Sequence, residues 1–272
     1  MRSSNPILRR LPTAPPPPAH YGPPPQQAYS YGGRTYAVPT DPRTGWAPPV
    51  AQDVMTIDDV VVKTVTLLGT AVAAAAATWI VVPATAMTPV WIAAMLIGLV
   101  LGLVISFAQV TNPVVLIGYA VVEGVFLGAV SKAFETRWDG IVLQAVIATL
   151  GVFFTMAGLY KARIIRATPK FTRIVIGAAA GLAVVTLVNL LITMFTGSAG
   201  PLRDGGGLAI VFSLICIVVA ALMFVVTFGQ IEEGIRAGLP RRYGWLGAFG
   251  ILVELVWLYL EMLRLISFLQ DD

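Results

Sequence analysis

Seven apolar stretches follow one another between Thr64 and Leu269, each near the roughly 20 residues that a helix needs to cross a bilayer core. No other feature restricts the fold as much. A backbone surrounded by hydrocarbon must satisfy its hydrogen bonds internally, so these runs read as helices. The predicted fold class is all-α: a polytopic membrane bundle of about seven transmembrane helices. Only 12% of the residues are charged, against about 25% in a soluble chain, too few to coat a water-facing surface. The spans are expected at Thr64–Val82, Val90–Phe107, Pro113–Phe134, Ile141–Tyr160, Ile174–Phe195, Gly207–Gly229 and Trp245–Leu269.

Proline tests this division independently of hydropathy, because it interrupts helix hydrogen bonding. Pro83, Pro89, Pro113, Pro169, Pro201 and Pro240 all fall in expected loops or at helix edges. Pro83-Ala-Thr-Ala86 is similar to a small-residue cleavage site. A polar leader of some 60 residues is too long for a signal peptide, so the first span is expected to remain as an uncleaved helix.

The other thirteen of the 19 prolines lie between Pro6 and Pro49, interspersed with Gly, Gln and Tyr. Such a stretch favours extended polyproline segments over helix or sheet. Residues 1–55 are therefore expected to form a disordered Pro/Tyr-rich cytoplasmic tail, and residues 56–272 the seven-helix domain. The tail is either a plain flexible arm or a docking arm for a partner with a proline-binding groove. Met55–Lys63 reads as a short amphipathic lead-in, with Thr56 as helix cap and Asp58 and Asp59 suited to a first turn.

Lysine and arginine set the orientation. Fourteen lie in the tail and lead-in and in the fourth and sixth connections, and three (Lys132, Arg137 and Arg203) on the opposite side; Arg264 is within the last helix. This predicts a cytoplasmic N-terminus and an external C-terminus in the cell membrane. Three G-x-x-x-G pairs, Gly98/Gly102, Gly124/Gly128 and Gly177/Gly181, are candidates for close helix packing. Trp46, Trp138 and Trp245 are candidate interface anchors.

Chemistry is narrowed by what is scarce. The single cysteine, Cys216, and the single histidine, His20 in the tail, leave no zinc cluster and no Ser-His-Asp arrangement. No P-loop, nucleophile elbow or dinucleotide fingerprint is present. No enzyme activity, resident cofactor or nucleic-acid partner is expected. What remains are acids within the spans, which are costly in a membrane and usually functional. Glu123 lies in the third span and Glu254 in the seventh, each about ten residues from the cytoplasmic end and so roughly 15 Å deep. Glu261 follows Glu254 by seven residues, on the same face, and Arg264 can pair with it locally. An uncompensated acid here suggests a proton-responsive or cation site; the alternative is a neutral carboxyl bonded between helices. Glu232, with Glu233 at the cytoplasmic end of the sixth span, reads as solvated.

Two stretches carry a family resemblance. Gly118-Tyr-Ala-Val-Val-Glu123-Gly124-Val-Phe-Leu-Gly128 resembles an "EG-x-x-LG" helix, and Glu254 through Met262-Leu-Arg264-Leu-Ile266 resembles a closing "D…LLRLL" helix, of the Bax inhibitor / YccA family. The Ser4-Asn5-Pro6 start, the MTIDDVVVKT lead-in and Thr168-Pro169-Lys170-Phe171-Thr172 resemble its actinobacterial branch. The resemblance implies a pH-sensitive calcium leak with Ca2+ as a transient passenger and, in bacteria, association with a membrane-anchored protease of the FtsH type. It also implies a pair of aspartates, one in each of the last two helices. Glu254 matches the second position. The first falls on Thr227, which cannot ionise, so the shared-proton pair is incomplete. Glu254, Glu123 and Thr227 are thus the ion-pathway candidates, with Glu261, Arg264 and Glu232 secondary.

Overall fold

A computed structural model describes residues 28–31, 34–37, 54–196, 202 and 206–271. The chain divides into two units, Met1–Gln52 and Asp53–Asp272. In the first, strands β1 (Ala28–Tyr31) and β2 (Arg34–Ala37) pair antiparallel, with Tyr29 opposite Tyr36. This corrects the expectation that the tail forms no sheet hydrogen bonds. The segment from Ala28 to Ala37 contains no proline, so its N–H donors are intact, and Gly32-Gly33 is a known hairpin-turn dipeptide. The rest of the tail up to Asp53, with His20 and Trp46, lies outside the described residues, as do Pro201 and Arg203.

The second unit consists of α1 (Ile57–Val81), α2 (Met87–Ala108), α3 (Pro113–Glu135), α4 (Ile141–Lys161), α5 (Pro169–Thr196), α6 (Gly207–Arg236) and α7 (Gly244–Asp271). Among the described residues seven helices are long and apolar enough to cross a membrane, and the all-α bundle stands. The lead-in is not a separate element: α1 begins at Ile57 rather than Thr64, because Thr56 caps it, accepting from the Asp59 amide at 3.2 Å. Hydropathy stops at the charges of the first turn, whereas the helix does not. α6 likewise runs past Gly229 to Arg236.

Loop chemistry explains the other ends. Pro113 opens α3 behind Asn112, whose side chain accepts from the Val114 amide at 2.9 Å. Pro169 opens α5, and Pro89 sits in the first turn of α2, where a missing N–H costs no helix bond. The Glu135 carboxylate accepts from the amides of Gly140 (2.8 Å) and Val142 (3.0 Å), placing negative charge at the α4 N-terminus. Lys132 does the reverse for α1: its ammonium donates to the carbonyls of Trp79 (2.8 Å) and Val82 (3.0 Å).

α7 is central, packing against α1, α3, α4 and α6. α1 lies along α3, α2 packs on α3, and α5 rests chiefly on α6. The α1–α3 seam depends on glycine. A Cβ at Gly124 would strike the Ala71 carbonyl and lie 2.7 Å from Ala74 Cβ; at Gly128 it would lie 2.5 Å from the Ala75 oxygen. Gly98 and Gly102 meet Glu123 and Tyr119 of α3. Gly177 and Gly181 have nothing within 4 Å, so the third G-x-x-x-G pair makes no packing contact among the described residues.

At one end of the bundle, Met55 N–H donates to the Leu239 carbonyl (2.8 Å), Asp59 pairs with Arg241 (2.6 Å), and buried Lys63 donates to the Arg241 carbonyl (2.6 Å). These bonds join the start of α1 to the α6–α7 turn.

Candidate functional site: an acidic seam between α6 and α7

α6 and α7 are antiparallel neighbours, and α7 turns its acids toward α6. Gly250 lies one turn before Glu254 and removes the side chain that would otherwise stand in front of Thr227: a Cβ there would be 3.3 Å from Thr227 Cγ2. Gly247 admits Ile231 in the same way. Thr227 can therefore reach the acid, and its hydroxyl donates to Glu254 Oε1. Glu254 is only 5% exposed, and its Oε2 has no hydrogen-bond partner among the described residues. A buried carboxyl oxygen left this way is uncommon, because such groups cost free energy unless paired.

Two turns further along, Glu261 is equally buried but fully engaged. Ser213 of α6 donates to its Oε2 at 3.0 Å, and Arg264 donates to both oxygens at 3.0 Å. The seam thus holds two carboxyls on one face of α7, as their seven-residue spacing predicts. One is neutralised by a cation and a hydroxyl; the other receives a single hydroxyl.

Rings from α4 and α6 line the flank of the seam. Phe153 meets Phe224 edge-on at 5.2 Å, and Phe228 lies between Phe153 and Tyr160, at 6.1 and 5.6 Å. Beyond them the Tyr160 hydroxyl donates to Glu232 Oε2 (2.5 Å), and Arg236 donates to Glu232 Oε1 (2.5 Å). Glu232 is therefore bonded between α4 and α6, where the sequence reading expected a merely solvated acid.

Glu123 is placed elsewhere. It is half-buried, next to Tyr119 on its own helix, and faces α2, with one oxygen 3.0 Å from where a Gly98 Cβ would be. Of the three ion-pathway candidates, Thr227 and Glu254 meet directly, while Glu123 sits in the α2–α3 interface. Sequence reasoning missed Ser213, buried on α6 opposite Glu261, and the buried Ser131–Tyr259 hydrogen bond of 2.7 Å. A serine within an apolar span was the available signal for each.

A bundle of seven apolar helices with acids held between its last two members defines a multi-pass membrane protein with a polar seam in a lipid-facing body. The Bax inhibitor 1 like family model matches residues 6–271, nearly the whole chain, and the protein belongs to that family. No curated protein matches the chain.

Proposed function

We propose that this protein is a cation-leak pathway of the cell membrane, with Ca2+ as a transient passenger, in which the α6–α7 seam is the gate and Glu254 its proton-responsive element. The observation that supports this reading is the half-satisfied carboxyl of Glu254, which has one oxygen held by Thr227 and the other without a partner among the described residues. A carboxylate ion at membrane depth is expensive unless a cation or water reaches it. A site so built is quiet when protonated and calls in a cation when it ionises. The sign follows: raising pH ionises the acid, so cation occupancy and flux rise with pH. Thr227 supplies a hydroxyl but no second titrating group, so the response is shallower than that of two coupled acids.

The orientation belongs to the same proposal. Fourteen basic residues against three favour a cytoplasmic N-terminus, so that α7 runs outward. Residues 1–55 form a cytoplasmic arm in this reading.

A second reading has a specific observation behind it. Thr227 replaces an acid that the resemblance leads one to expect, and Glu261 is fully committed to Ser213 and Arg264. A bundle with this seam permanently shut is a non-conducting partner that modulates a membrane-anchored protease of the FtsH type.

Calcium flux into proteoliposomes, measured from mildly acidic to mildly alkaline pH, separates the two. The parent protein should conduct more at higher pH, Glu254→Gln should conduct without pH dependence, and Thr227→Asp should steepen the response. Identical flux from all three would make Glu254 structural. No flux from any of them, with retained binding to a membrane protease, would replace the leak with the second reading.

A further inference from the structure

A cavity of about 550 Å³ lies on the side of the bundle away from the acidic seam. Its floor is formed by α3 and α7, through Leu127, Leu252 and Leu255, and its lips by α1 and α4. Val72 and Ile80 on one lip and Val146 and Leu150 on the other are exposed on the surface of the bundle, so the cavity opens sideways. In a membrane that opening faces hydrocarbon. The volume lies within the ~300–1,000 Å³ typical of ligand sites.

The lining decides the occupant. It is apolar apart from a few groups, and two of these, Ser131 and Tyr259, are bonded to each other at 2.7 Å. Water needs several polar partners and does not settle in such a space. Left empty, the walls would forgo their dispersion contacts. Thr64, Thr66, Thr70, Thr78 and Thr155 each donate to the carbonyl four residues earlier, whereas buried Thr149, in the cavity wall, has a hydroxyl with no partner among the described residues.

The dimensions suit one leaflet. On α1 the lining runs from Leu68 to Ile80, twelve residues or about 18 Å at 1.5 Å each, close to half of a hydrocarbon core of roughly 30 Å. α3 contributes from its C-terminal half and α4 from its N-terminal half, both next to the α3–α4 turn. At that end Lys132 is bonded to the carbonyl of the cavity residue Trp79, and Arg137, 4.0 Å from the Asp271 carboxylate, is exposed in the turn. Cationic groups thus stand where a headgroup phosphate would lie, complementary to its charge.

We propose that this cavity holds one acyl chain of a membrane phospholipid, entering sideways between α1 and α4 with its phosphate beside Lys132. The guest completes the wall that α1 and α4 leave open.

The test uses the full chain in nanodiscs containing a phosphatidylcholine with a photoreactive diazirine in one acyl chain. Cross-links should concentrate in residues 68–80 and 142–150, well above the level on the exposed α5 face around Val184 and Leu187. Ala76→Trp and Val146→Trp should fill the mouth and abolish the cavity cross-links while leaving α5 labelling unchanged. Thr149→Met is a milder filling variant, should the tryptophans not fold, and should reduce the labelling. In native mass spectrometry Lys132→Gln should lose co-purifying phospholipid. Equal labelling of α5 and the cavity, or cavity labelling indifferent to all three fillings, would overturn the proposal. So would chain-to-chain cross-links through α1 and α4 in place of lipid adducts, which would assign the opening to a second copy.

Discussion

Gly128→Ala measures how much of the bundle rests on backbone contact between α1 and α3. A methyl at Gly128 would lie 2.5 Å from the Ala75 oxygen, 2.9 Å from its Cα and 3.0 Å from Thr78 Cβ. Ordinary contact begins near 3.4 Å, so the helices must separate by about 1 Å, the scale at which overpacking costs ~1–3 kcal/mol. The two nearest obstructing atoms are backbone, and the third, a Cβ, is fixed to it, so none can rotate away, which places the expected loss toward the upper part of that range. Gly177→Ala is the matched control. It sits in the same kind of motif with nothing within 4 Å, so only the helix-propensity gain of up to ~1 kcal/mol remains. Thermal unfolding of both variants in one detergent should show a clear fall in midpoint for Gly128→Ala and none for Gly177→Ala. Equal midpoints, or a lower one for Gly177→Ala, would refute the claim that α1 and α3 meet through their backbones.

Arg264→Met should strip Glu261 of its cation and leave a buried acid held by Ser213 alone, costing on the order of 3–5 kcal/mol; the double variant with Glu261→Gln should recover much of it, and unfolding in graded denaturant would report both. Reporter fusions after Asp272 and within 162–168 should light up on opposite sides of the membrane, the second in the cytoplasm, and agreement between them would break the seven-span topology.

Apolar length and proline placement make the helices legible in the sequence, because the bilayer allows so few solutions for a backbone. Partner choice was less legible. Gly124/Gly128 and Gly177/Gly181 are the same word in the sequence, yet one is buried against α1 and the other meets nothing among the described residues; a spacing names a face, not what covers it. Lys132 counted as a loop cation although it is occupied by the carbonyls of α1, since charge alone does not tell a capping lysine from a solvated one. For the site, Glu254 could be singled out by depth and its bond to Thr227 by resemblance. Gly250, which makes that bond reachable, carries meaning only when α6 is seen to pass in front of it. The hairpin in the tail was hidden by the composition around it.

The bonds from Asp59 and Lys63 to Arg241 span 182 and 178 residues. α1 therefore carries two charged groups whose partner residue is synthesised 178 to 182 residues later. During synthesis an acid and an ammonium near the membrane surface must be kept wet, or held by something else, until the α6–α7 turn arrives. Completion of the bundle is then a ring closure between the start of α1 and the α6–α7 turn. A nascent chain stalled before Arg241 would present the head of α1 without these two bonds, a chemical mark of immaturity that an intact molecule hides.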